Sequence, residues 1–118
     1  MRHHNKNRTL GRTKRQRTAL LCGMARSLVL YGAITTTVAK AKELRPFIER
    51  IVTDSKKGIL ASHRSVVSKL GDTKEVARKL HDTYASRYAK RFGGYTRVVK
   101  LGRIGKREGE MARIEFVQ

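Results

Sequence analysis

The chain has 118 residues, with 28 Lys and Arg against 9 Asp and Glu, and a formal net charge of +19. That length makes one domain, able to bury roughly 65% of the surface its unfolded chain exposes, while a charge so one-sided repels itself and points to a polyanionic partner, nucleic acid ahead of an anionic membrane surface. One cysteine, Cys22, excludes an internal disulfide and fits a reducing compartment, and seven Tyr and Phe with no Trp make base stacking a secondary binding mode at most.

Residues Met1 to Gln16 hold Arg2, Lys6, Arg8, Arg12, Lys14 and Arg15 and no acid. The only sizeable apolar side chains there are Met1 and Leu10, too few to offset the entropy of ordering, so an extended tail over 1–16 ahead of one globular domain over 17–118 is expected. Ten Lys or Arg precede the first acid, Glu43. Mixed charges would merely solubilise; a segregated positive field attracts phosphate. No apolar core follows the basic start, so no signal peptide is expected, and no run of 18 apolar residues suggests a membrane span.

From about Thr13 to Tyr31 the residues Leu20, Leu21, Met24, Ala25, Leu28 and Val29 recur at helical spacing, with Arg15, Arg17 and Arg26 towards the other side. Gly32 is placed for a left-handed cap, and Gly23 suggests a close helix contact. Ile34 to Thr37 is β-branched and suits a short strand. Thr36 or Thr37 then caps a helix whose apolar positions are 38, 41, 44, 48, 51 and 52. Pro46 interrupts the backbone bonding but not the stripe, which predicts a kink rather than a stop. Lys56, Lys57 and Gly58 end that helix.

A third helix fits Ile59 to Leu70, with Leu60, His63, Val67 and Leu70 on the core face, widened by Ile59 and Val66. Gly71 ends it. Asp72 or Thr73 begins a fourth, Glu75 being placed for a capping box with Asp72 and Val76, Ala77, Leu80 and Tyr84 forming the stripe. Ser86 to Gly94 is a basic loop in which Arg87, Lys90 and Arg91 alternate with Tyr88 and Phe92, a pattern suited to a sugar-phosphate chain as well as to a solvated turn. Two strands, Tyr95–Leu101 and Met111–Val117, flank a basic loop with Arg103, Lys106 and Arg107 and read as an antiparallel hairpin. The order α-β-α-α-α-β-β predicts a two-layer α+β domain, helices on one face of a three-stranded mixed or antiparallel sheet.

Enzyme readings find little support. His3, His4, His63, His81 and Cys22 have no metal-ligand spacing, and no Gly-rich phosphate loop joins a strand to a helix, so no metal, cofactor or small-molecule substrate is expected. Nine dispersed acids do not supply a magnesium cluster, and Glu108 with Glu110 reads as a solvated loop opposite Arg107. A helix-turn-helix about Gly71 would turn Asp72 and Glu75 onto phosphates.

The residues Thr35-Thr36-Thr37-Val38-Ala39-Lys40-Ala41-Lys42-Glu43-Leu44-Arg45-Pro46, with Gly93-Gly94-Tyr95-Thr96-Arg97 before a hydrophobic strand, resemble the signature of the bacterial large-subunit ribosomal protein family numbered seventeen. Met1-Arg2-His3, Leu10-Gly11-Arg12, Arg17 and the closing Glu110-Met111-Ala112 with Ile114-Glu115 extend the resemblance over the whole chain. It departs from the family pattern at Gln16, Cys22-Gly23 and Gly105 to Gly109. The resemblance implies a structural, non-catalytic component of the large subunit that contacts ribosomal RNA and neighbouring ribosomal proteins. The absence of a targeting segment leans to a bacterial cytoplasm, although a processed organellar chain would read the same. The resemblance also implies RNA contacts at Arg2, His3, Lys6, Arg8, Arg12, Arg15, Arg17, Lys40, Lys42 and Arg97. Charge alone adds Lys14, Arg91, Arg103, Lys106 and Arg107. The competing class is a free-standing nucleoid or RNA-chaperone protein, which would bind duplex DNA and RNA alike away from the ribosome.

Overall fold

A computed structural model of the chain describes residue 8, residues 10–103 and residues 109–118. The chain-order elements are α1 (Lys14–Tyr31), β1 (Ala33–Thr37), α2 (Val38–Lys56), α3 (Leu60–Lys69), α4 (Lys74–Lys79) continuing as a π-helical segment (Leu80–Ala85), β2 (Thr96–Gly102) and β3 (Met111–Phe116).

Both long helices begin on a threonine. Thr13 Oγ1 accepts from the N–H of Gln16 at 3.3 Å, and Gln16 Oε1 accepts from the N–H of Thr13 at 3.2 Å, a reciprocal capping box. Gln16 thus completes the helix start. At the other end Gly32 takes φ 79°, a left-handed cap whose N–H donates to Leu28 O at 2.8 Å. Thr37 ends β1 and caps α2, accepting from Lys40 N–H at 3.4 Å, while Val38 N–H reaches Glu110 O at 3.1 Å. No residue is left between strand and helix, so the direction of α2 is set by the sheet. α2 runs past Pro46 to Lys56, as its uninterrupted stripe requires.

That stripe is the centre of the molecule. Ala41, Leu44, Ile48, Ile51 and Val52 are fully buried, and Ala25, Leu28 and Val29 of α1, Val66 and Leu70, and Leu80 close over them. From the sheet side come Ala112, Ile114 and Phe116 of β3. The sheet order is β1-β3-β2, with both pairings antiparallel. The last strand of the chain is therefore the central one. Of the mixed and antiparallel alternatives the sheet is wholly antiparallel, because β1 and β2 run the same way but are kept apart by β3. Ile34 and Val98 flank Ile114 across the ladder, which gives all three strands one apolar face.

Several expectations are corrected. In α3 the buried positions are Ser62, Val66 and Leu70, not Leu60 and His63; Leu60 is 65% and Ile59 57% exposed, and His63 is exposed too. The face turned towards α2 and α4 is the one that contains a serine. Asp72 does not cap α4. It sits at φ 61°, Thr73 occupies the cap position, and Thr73 Oγ1 donates back to Gly71 O at 3.4 Å. No helix presses on Gly23, whose added Cβ would meet only the Arg26 guanidinium at 3.8 Å. The close approach is at Gly71, which Arg26 overlies while donating to Leu70 O at 3.3 Å. Leu20 lies outside the core and lines a groove between α1 and β1 with Met24 and Ile34.

The π-helical segment widens the winding so that Leu80, Tyr84 and Ala85 all face inward. Tyr84 stacks on Phe116 with ring centroids 3.9 Å apart, and Tyr88 meets Tyr95 at 5.1 Å. Tyr88, expected on the loop surface, is buried, and its hydroxyl donates to Val117 O. Burial raises the Tyr84 phenol, only partly opposed by Arg87. Around Tyr95 burial also raises the phenol, but hydrogen bonds from Lys56 at 3.0 Å and with Thr53, and the charge of Lys56, outweigh it and bring it below the ordinary value.

Two measurements check these placements. Ile48→Ala should cost about 2–5 kcal/mol in urea unfolding, whereas Leu60→Ala should stay within about 0.5 kcal/mol. In an ultraviolet titration the first tyrosine should ionise below about pH 10 and vanish in Tyr95→Phe, and Lys56→Met should move that step upward. The signs for stability are opposite. The lowered Tyr95 adds stability as pH rises through its folded value towards 10 and beyond; the raised Tyr84 withdraws it above about pH 10.

Candidate nucleic-acid interface

The head of α1 is built against the middle of α2. Leu10 and Gly11 both adopt left-handed backbone, with φ 54° and 65°, and this turns the chain back on the helix. Arg12 Nη1 donates to Leu10 O at 2.7 Å, and Arg17 Nη1 donates to Arg12 O at 2.8 Å. Each guanidinium is thereby oriented by one nitrogen and keeps further N–H groups for an acceptor. Arg8 reaches across to α2 and pairs with Glu43 Oε2 at 3.2 Å. The result is a groove of about 260 Å³ lined by Arg8, Lys14 and Arg17 on one wall and by Glu43, Pro46, Phe47 and Arg50 on the other. Glu43 is its one carboxylate, and Arg8 already engages it.

The helix ends make the field more positive. The first turns of α1 and α2 contain no acid. Lys14 and Arg15 instead stand at the end of α1 where the macrodipole is already positive, and Lys40 does so on α2. Such an arrangement opposes helix formation in the isolated chain and favours an anion at the same place. Lys14 and Arg15 are exposed; Lys42 is exposed and Lys40 half-buried just ahead of Glu43.

The remaining candidates lie elsewhere. Arg91 and Arg103 are exposed on the loop before β2 and at the end of β2. Arg97 stands on the outer face of the sheet, where its Nε meets Glu115 Oε1 at 2.8 Å while Arg113 reaches Glu115 Oε2 at 3.4 Å. None of these lines the α1–α2 groove. Arg2, His3, Lys6, Lys106 and Arg107 lie outside the described residues. The groove residue missed by sequence reasoning is Arg50. Its signal was its spacing of seven from Glu43 along α2, which returns it to the same face two turns on.

Other cations are fastened within the fold. Lys79 donates to Leu30 O at 2.6 Å and closes the C-terminal turn of α1, which has no basic residue of its own. Lys57 and Lys69 share Asp54, and Arg45 pairs with Glu49. Burial pushes the half-buried Cys22 thiol up, against the pull of Arg26, so it is a poor nucleophile. Among the described residues no three His, Cys, Asp or Glu side chains gather into a metal-binding group, and no helix is long and apolar enough to cross a membrane.

Comparison with known proteins gives a single answer. The family model described as ribosomal protein L17 matches residues 20–117. The large ribosomal subunit protein bL17 of a Hydrogenobaculum species is 50% identical, with both chains covered in full. That of Sphingopyxis alaskensis is 49% identical over 99% of this chain and 84% of its own. That of Agrobacterium fabrum is 45% identical over 100% of this chain and 83% of its own.

Proposed function

The chain belongs to the ribosomal protein L17 family, and from that premise we propose that it binds and stabilises large-subunit ribosomal RNA through its N-terminal arm and the head of α1. It is a structural, non-catalytic protein of the large ribosomal subunit, in the cytoplasm. The observation that carries the RNA reading is the α1–α2 groove, in which Arg8, Lys14, Arg17 and Arg50 converge and the only carboxylate is already paired.

The chain works as an arm, residues 1–16, on a body, residues 17–118, with the first turn of α1 shared between them. Arg12 and Arg17, each oriented by a backbone carbonyl, fork onto phosphate oxygens, and Lys14, Arg15, Lys40 and Lys42 supply point charge near the helix N-termini. A phosphate at either N-terminus meets both the dipole and the lysines that oppose it. Because A-form major grooves exclude side chains, recognition is by shape and backbone. Arg2, His3 and Lys6, earlier in the sequence, are further candidate phosphate contacts. Arg91, Arg97 and Arg103 form a second, separate set of contacts near the sheet, and Lys106 and Arg107, a few residues further along the chain, add to the positive charge. Neighbouring large-subunit proteins complete the surroundings.

Filter binding to large-subunit RNA checks this. If roughly 6–10 phosphates are contacted, affinity should fall by about 10³–10⁵ between 50 and 200 mM salt; a shallow slope would sink the reading. Arg17→Ala should weaken binding and flatten the salt slope by about 1. Glu43→Gln releases Arg8 and should instead strengthen binding. Removing Met1 to Arg12 should leave a folded body that enters large subunits less well, as sedimentation will report.

A further inference from the structure

Phe92 is the most exposed ring among the described residues, ahead of Tyr31 at the end of α1, which is 77% exposed. Tyr84, Tyr88, Tyr95 and Phe116 are buried in the core, whereas Phe92 is wholly exposed, at 102%. Exposure of an entire phenyl group forfeits the burial for which the residue is suited. The ring also projects from a fixed base. The carbonyl of Arg91, the residue before it, accepts from Lys56 Nζ and from the Tyr95 hydroxyl at 3.3 Å, and Arg91 N–H donates to Tyr88 O at 2.9 Å. α2, the end of the π-helical region and the start of β2 thus all hold the stem. Gly94 follows with φ 63°, which turns the chain back into the strand.

The surroundings say what such a ring meets. No acid occurs between Asp82 and Glu108, a stretch that contains eight Lys and Arg. Arg87 lies over the faces of Tyr84 and Tyr88, at 5.1 and 5.9 Å, and Lys90 and Arg91 are exposed beside Phe92. A partner must then be polyanionic and also offer a flat apolar face. An RNA with an unpaired base meets both conditions; a paired A-form helix keeps its base faces covered. We propose that Phe92 is a stacking residue for one unpaired base of RNA, with Arg87, Lys90 and Arg91 on the adjoining phosphates. The inference rests on the ribosomal RNA reading and adds a contact of a different kind on a different part of the surface.

The test uses the full chain and protein-free large-subunit RNA. Phe92→Ala should weaken binding roughly 5- to 100-fold with the salt slope unchanged, and Phe92→Tyr should bind like the parent chain. Phe92→Trp introduces the only indole in the molecule, and its emission should be quenched by the RNA alone. Parent-like binding by Phe92→Ala, with no quenching of Phe92→Trp, overturns the stacking contact and leaves the groove reading standing. An emission change seen only in complete large subunits assigns the ring to a protein pocket and overturns the base contact as well. Failure of the parent chain to bind the RNA removes both readings together.

Discussion

The apolar stripe of α2 is the surface on which the other elements meet. Ala41, Leu44, Ile48, Ile51 and Val52 are touched by α1, by α3 and the π-helical segment, and by the sheet. Burying side chains of this size contributes about 1.5–3 kcal/mol each for the larger ones, and a domain this small has no second core to fall back on. The strand–helix junction at Thr37 and Val38 fixes how the stripe faces the sheet, since a strand that becomes a helix without a loop cannot rotate independently of it. β3 then locks the junction through Glu110 O and supplies Ala112 and Ile114 as its apolar floor.

That small core holds together a chain whose cations repel one another. In each ion pair among the described residues the cationic side chain is 42–60% exposed, and surface pairs contribute about 0–1 kcal/mol. They do not balance the surplus; they place it. Glu43 draws Arg8 onto α2, Glu115 gathers Arg97 and Arg113, and Asp54 gathers Lys57 and Lys69. Backbone carbonyls do the same for Arg12, Arg17, Arg26, Lys56 and Lys79. An acid-poor protein thus uses main-chain oxygen to orient cations where other folds would use carboxylates.

What was legible in the sequence was whatever one period determines. The β1–α2 junction, the stripe of α2, the glycine cap of α1 and the alternation of β3 each follow from a pattern with one solution. α3 has two. Leu60, His63, Val67 and Leu70 form one stripe; Ser62, Val66 and Leu70 form another, and the crossing of α2 and α4 decides between them. The π-helical widening was hidden for a similar reason, because it serves the packing of Tyr84 and Ala85 together rather than any local preference. Tyr88 and Phe92 look alike in a basic loop. The helical winding ends at Arg87, and the turn after it sends one ring inward and the other out. The charge of the candidate groove could be read directly, but the meeting of Arg50 with Arg8 and Arg17 depends on how α1 crosses α2, which no local pattern carries.

In the proposed contact, folding and binding are linked at the head of α1. A left-handed leucine, Leu10, a first turn with Lys14, Arg15 and Arg17, and no acid to offset the dipole are each unfavourable alone. The Thr13–Gln16 box and the carbonyl-held arginines keep the turn formed against that bias. A polyanion removes the bias itself, and by mass action any partner that binds only the formed turn stabilises it. In the proposed RNA complex, the residues that make the isolated head marginal are the ones a phosphate would stabilise.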